Sequence, residues 1–209
     1  MVPRPQISLP AALRRPRMPR RASGFIGALA VLIGIVLIVD AIVTVVWQDP
    51  FTTIFTQREQ KALSKKLDAT EKAALPASTL ELVRRAGTEQ ERMAVLGAHE
   101  RSTARAGDPL GRIFIPKTGK NFVFISGTGT ETLKKGPGHY SDTALPGQGG
   151  TVAIAGHRTT YGAPFARLGR LRKGYAITLT MPYGKFTYSV EKIKSVPPTQ
   201  TTVLGNAPN

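Results

Sequence analysis

The segment from Gly24 to Trp47, GFIGALAVLIGIVLIVDAIVTVVW, constrains the rest of this chain more than any other. It is 24 residues long and carries one charge, Asp40. As a helix it reaches about 36 Å, enough to cross a hydrocarbon layer of about 30 Å with some tilt. The alternative is a cleavable signal, but the apolar cores of signals usually run to about 7–15 residues before a small-residue cleavage site. This run is longer and ends in Trp47, a residue that favours the membrane interface. Asp40 is costly inside such a span unless it meets a partner or lies near the outer interface. The flanks set the direction. Arg14, Arg15, Arg17, Arg20 and Arg21 precede the run, and the first basic residue after it is Arg58. The basic end is expected in the cytoplasm and everything after Trp47 outside, as a single-pass cell-membrane protein.

That placement governs how the charge is read. The chain has 29 Lys and Arg against 13 Asp and Glu. Residues 111–209 hold thirteen of the bases and only Glu131, Asp142 and Glu191 as acids. Such a surplus ordinarily suggests nucleic acid. Outside the membrane that partner is excluded, leaving anionic envelope polymers, lipid headgroups or simple solubility. There is no cysteine among the 209 residues.

Four regions follow: a basic cytoplasmic segment (1–23), a transmembrane helix (24–47), an external helical stalk or linker (48–108), and a β-rich domain (109–209). In the stalk, QREQKALSKKLDATEKAAL is rich in helix formers. It has Leu63 and Leu67 four apart and an Asp68–Lys72 pair at the same spacing. Pro76 interrupts it, and STLE at 78–81 predicts a capping box from Ser78 and Glu81 at the start of a second helix, with Gly87 as its stop. The apolar face is thin, so the stalk is either a spacer or a small satellite on the main domain. His99 lies in a polar stretch and reads as a solvated surface histidine.

From Gly111 onward come β-type runs divided by Gly and Pro: RIFIP, NFVFISG, TVAIAG, YAITLTMP and KFTYSVEKIKSV. MPYGKF reads as a hairpin turn and PFARLGRL as about two helical turns. The expectation is a mainly β barrel or sandwich with short connecting helices, five strands leaving it open.

The chemistry centres on His157 in GHRTTYGAPF. At the end of a buried strand it could simply cap the strand by donating a ring proton to a carbonyl. Its near-neutral pKa also suits proton transfer from a fixed strand into an open loop. Gly156 lets another backbone approach, Gly162 and Pro164 shape the loop, and Thr159, Thr160 and Tyr161 are candidates to line a cleft. Neither threonine has the neighbouring base a nucleophile needs. No metal cluster, phosphate-binding loop or nucleotide motif is present, so no metal and no cofactor are expected.

TALPGQGGTVAIAGHRTTYGAPFARL resembles the signature of the bacterial sortases, closest to the class E, housekeeping-type group of Gram-positive bacteria. GRIFIPKTGKNFVF, TLKKGPGHY and YGKFTYSVEKIKSVPPTQTTVL extend the resemblance over about residues 109–206. Gly150–Thr151 and Gly174–Tyr175 depart from the Gly-Asn and Gly-Asp of many relatives. The resemblance implies a sortase-type β-barrel, here short of its last two strands. It implies a membrane-anchored cysteine transpeptidase that cuts a Leu-Pro-x-Thr-Gly or Leu-Ala-x-Thr-Gly sorting signal between Thr and Gly. The acyl group is held as a thioester and passed to an amine of the cell-wall precursor, attaching surface proteins to the wall. The family's catalytic histidine matches His157, and His139 in GPGHY matches a loop that shapes the cleft. The family's cysteine, closing a Thr-Leu-x-Thr-Cys strand, and its arginine both belong downstream of the last residue, Asn209. The 209 residues are therefore expected to be inactive as they stand. The alternative is a non-catalytic, membrane-tethered envelope-binding protein on the same scaffold.

Overall fold

The computed structural model describes residues 20–47 and 50–197, with side-chain surroundings for 27–41 and 52–197. It falls into two units divided between Val43 and Thr44. The first contains nearly all of α1 (Arg20–Trp47), so the apolar run expected as an anchor is helical throughout. Leu29, Val31, Leu32, Ile33 and each residue from Ile35 to Val39 are more than half exposed. Consecutive exposed apolar residues spread around every side of a helix, leaving it with no polar face. Among the described residues no helix is long and apolar enough to cross a membrane.

The second unit begins with three helices, α2 (Pro50–Lys72), α3 (Ala77–Arg85) and α4 (Glu89–Thr103). A six-stranded sheet follows: β1 (Pro109–Ile115), β2 (Lys120–Ser126), β3 (Gly138–His139), β4 (Ile154–Ala155), β5 (Ala176–Met181) and β6 (Gly184–Ser189). A short helix, α5 (Thr130–Lys135), connects β2 to β3. The strand order is β4-β3-β2-β1-β5-β6, antiparallel except for the β2–β3 pair. The sheet is thus open, with β4 and β6 at its edges.

Why it curls is visible in its alternation. On β1, Ile113 and Ile115 point inward, and on β2 Phe124 does the same, joining Leu145, Leu171, Leu179 and Met181 in one cluster. The other face of β2 carries Val123 and Ile125, and these pack on Leu63 and Leu67 of α2. An apolar strand covered on both faces needs no polar residue between its hydrophobes, and FVFI has none. Helix α2, which follows α1, is therefore docked on the sheet rather than standing free as a spacer.

Other local expectations are revised by tertiary partners. Asp68 does not pair with Lys72; its carboxylate accepts from Arg112 Nη2 on β1 at 2.6 Å. The capping box belongs to α4, where Thr88 Oγ1 accepts from the Glu91 N–H and Glu91 accepts from the Thr88 N–H. The helix after Pro76 has Pro76 itself at its cap and no side-chain cap. It ends at Arg85, just short of Gly87. The hairpin turn is confirmed, with Met181 opposite Gly184 across Pro182–Tyr183. PFARLGRL forms turns and one 3-10 turn, Leu168–Arg170, because Pro164 and Gly169 leave too few consecutive helix formers. TVAIAG contributes only Ile154–Ala155, and GPGHY supplies a strand not anticipated, β3. Beyond Ser189, residues 190–197 run without regular structure towards Pro197, consistent with proline's lack of a ladder donor.

Leu67 is fully buried between α2 and β2. Leu67→Ala should cost about 2–5 kcal/mol in urea unfolding. Leu82→Ala, on the exposed side of α3, should stay within about 0.5 kcal/mol.

Candidate active site

His157 stands two residues beyond β4, at the start of a loop that closes on itself. Its carbonyl accepts from the Phe165 N–H at 3.1 Å. Within this loop Tyr161 and Ala163 hold positive φ angles of 52° and 42°, uncommon for residues with a Cβ. Such strain persists only where surroundings over-determine it. Here the surroundings are evident: Ala163 is fully buried, the Tyr161 N–H donates to Thr52 Oγ1 of α2 at 2.9 Å, and Lys120 Nζ donates to the Gly162 carbonyl at 3.0 Å. Gly156 is needed for a side chain, where a backbone approach was expected: a Cβ there would stand 2.8 Å from the Phe165 ring.

The imidazole is held on two sides. Nδ1 lies 3.1 Å from the carbonyl of Leu133 on α5, and the Tyr161 ring sits 4.8 Å away, centroid to centroid, tilted by 53°. A carbonyl can only accept, so Nδ1 carries the proton of the neutral ring and the lone pair is at Nε2. Nε2 makes no hydrogen bond to any described residue. Such a ring can exchange a proton at Nε2 without losing its orientation.

The other sequence candidates are placed less favourably. The hydroxyls of Thr159, exposed, and Thr160, half-buried, make no hydrogen bond among the described residues, so no base activates either. Arg158 is exposed. His139, expected in a loop, lies instead on β3 at 1% exposure. Its Nε2 donates to the Ala144 carbonyl at 2.9 Å and lies 3.1 Å from Thr143 Oγ1, which in turn accepts from the Ala153 N–H. This network ties the loop after β3 to the approach of β4. His99 is also corrected, being half-buried with Nδ1 3.3 Å from Thr79 Oγ1. Among the described residues no three His, Asp or Glu side chains group as metal ligands would.

Beside this loop the inner face of the sheet opens into an apolar groove of about 300 Å³. Ile113, Ile115, Ile154, Phe165, Ile177 and Leu179 line it, so strands from both ends of the sheet reach one hollow. The curvature is that of a half-barrel.

Residues 113–209 match the family model of the sortase domain. Sortase D of Bacillus subtilis (strain 168) is 37% identical over 98 residues, 47% of this chain and 48% of that protein. The chain belongs to the sortase family. It spans about half the length of this curated relative. The solved sortase E of Streptomyces avermitilis is 43% identical over 48% of this chain and 68% of its own, with a TM-score of 0.46. The sortase D5 transpeptidase of Clostridium perfringens is 27% identical over 62% and 79%, with a TM-score of 0.49. The assignment rests on the sequence matches. It makes the open sheet a sortase fold.

What sequence reasoning missed in this sortase is the contribution of α2. Thr52, Thr56 and Gln60 reach the His157 loop or α5, and no motif marks them.

Burial, and to a smaller extent the charge of Arg101, push the His139 imidazole below its ordinary value of 6.5, against its hydrogen bond to Ala144. The unfolded chain therefore takes up a proton before the native state does as pH falls past that value. The stability that neutral His139 contributes above it is lost progressively below it. Unfolding curves should show stability falling as pH drops through and below about 6.5, and His139→Gln should flatten that dependence.

Proposed function

We propose that this sortase is a class E, housekeeping-type transpeptidase with His157 as its general acid and base, tethered to the cell membrane by α1. The observation that carries the reading is the asymmetric imidazole, tied at Nδ1 to Leu133 and open at Nε2. The 37–43% identity to sortases D and E supports the class.

The chemistry needs a thiolate, and these 209 residues hold no cysteine. In this reading the nucleophile, and an arginine for the oxyanion, come from sequence beyond Asn209, and residues 1–209 alone are inactive. The thiolate adds to the threonine carbonyl of a Leu-Pro-x-Thr-Gly or Leu-Ala-x-Thr-Gly signal. The tetrahedral intermediate collapses with cleavage of the Thr–Gly C–N bond, and His157, made imidazolium at Nε2 by the proton the thiol gave up on becoming thiolate, passes that proton to the departing amine. The neutral ring then takes a proton from the incoming cell-wall precursor amine as that nitrogen attacks the thioester, and the thiolate leaves. The apolar groove suits closure by further chain or an apolar part of the signal. Thr159, Thr160 and Tyr161 border the approach.

In a chain extended by its natural downstream sequence, His157→Ala should lower transpeptidation of a sorting peptide by about a hundred- to ten-thousand-fold, with circular dichroism unchanged. A loss of only a few fold, or a downstream frame without cysteine, would instead favour the non-catalytic envelope-binding reading.

The anchor proposal takes Gly24–Trp47 as the span, residues 1–23 as cytoplasmic, 48–108 as an external helical region and 109–209 as part of the catalytic domain. Protease added to intact spheroplasts should remove epitopes beyond about residue 50 and spare the arginine-rich end. Protection of the β-domain would reverse the orientation.

A further inference from the structure

The carboxyl end of α5 has an unusual distribution of partners. A helix leaves its last four carbonyls without intrahelical donors, and a helix of six residues is marginal by itself. Three of those carbonyls are taken by three separate side chains. Leu133 accepts from His157, Lys134 accepts from Thr56 Oγ1 at 3.0 Å, and Lys135 accepts from Gln60 Nε2 at 2.9 Å. The group that orients His157 is thus adjacent in the chain to two groups fixed by α2.

Gln60 does more than cap α5. Its Oε1 accepts from the Val123 N–H at 2.7 Å, and its Nε2 also donates to the Val123 carbonyl at 2.9 Å. One side chain therefore sets α5 against the ladder of β2. The fit leaves no slack, since a Cβ at Gly136, the residue after α5, would run into Gln60 Nε2. The second support of the imidazole traces to the same helix, because Tyr161, whose ring lies against His157, donates its N–H to Thr52 Oγ1. Thr52, Thr56 and Gln60 are spaced four apart, and residues so spaced stack along one helix face.

We infer that this stripe of α2 is a positioning device for His157: Thr56 and Gln60 hold its hydrogen-bond acceptor, and Thr52 holds its aromatic neighbour. Thr56 and Gln60 direct their hydrogen bonds to the backbone of α5 and β2 rather than to the imidazole. The inference deepens the reading of His157 as acid and base and rests on it for catalytic consequence, whereas the geometry is testable without catalysis.

The chain contains three histidines, His99, His139 and His157, so ¹⁵N-histidine labelling gives three resolvable rings. In the wild-type chain at alkaline pH, the His157 nitrogen shifts should report the Nδ1–H tautomer. Thr56→Val, which keeps shape and removes the donor, and Gln60→Glu, which keeps the acceptor and removes the donor, should each shift His157 towards a mixture of tautomers. His99 and His139 should be unmoved, and Thr56→Ser should restore the wild-type signal. In the cysteine-bearing chain the same two variants should lower kcat on the order of tenfold to a hundredfold, with KM little changed. An unchanged His157 tautomer in both folded variants, or equal movement of all three rings, overturns the positioning inference whatever the enzyme assay shows. A shifted tautomer with an undiminished kcat upholds the positioning and removes the acid–base role of His157.

Discussion

The docking of α2 on β2 is the contact on which the rest of this sortase depends. Strand β2 is apolar on both faces, and a sheet exposing Val123 and Ile125 to water would forfeit much of its hydrophobic stabilisation. Leu63 and Leu67 remove that cost. The same contact brings a polar stripe one and two turns earlier on α2 over the backbone of β2 and α5. One packing event thus covers the sheet and fixes the neighbourhood of the histidine. Arg112 adds direction, because its ion pair with Asp68 and its hydrogen bond to Ser64 tie the next strand to the same helix.

Some of this was legible in the residues. The four-residue spacing of Leu63 and Leu67 announced a helix, but its thin apolar face left a spacer and a docked satellite both open, and only the packing of Val123 and Ile125 decides between them. β-type runs divided by Gly and Pro located β1, β2, β5 and β6, and the Pro182–Tyr183 turn followed from MPYGKF. The failures share a cause. Asp68 and Lys72 have the right spacing for a pair, but a β-strand arginine 44 residues later competes for the carboxylate. Ser78 and Glu81 satisfy a capping motif that Thr88 and Glu91 also satisfy, and spacing cannot choose between them. Strands of two residues, such as β3 and β4, are too short to show periodicity.

At the site, His157 stood out because glycine, proline and aromatic residues crowd around it in sequence. His139 stood out for similar reasons and proved to be a buried structural link. The difference lies in what each Nε2 meets: the carbonyl of Ala144 for His139, and no described partner for His157. That distinction is tertiary. The supporting residues Thr52, Thr56 and Gln60 read in sequence as ordinary solvent-facing positions of a helix, since nothing local shows that backbone carbonyls will come to meet them.

The reach of these supports along the chain bears on how the domain comes together. Gln60 waits for Val123 and Lys135, 63 and 75 residues later, and Thr52 waits for Tyr161, 109 residues later. Closing loops of that size costs entropy before any contact repays it, and folds dominated by distant pairings assemble slowly. During synthesis α2 emerges long before the segments it must grip. The β1–β2 hairpin, being local, has the shorter search. The histidine loop, which needs Thr52 at one end of the unit and strained residues at the other, has the longest search, so the setting of His157 is expected to form late and to loosen early.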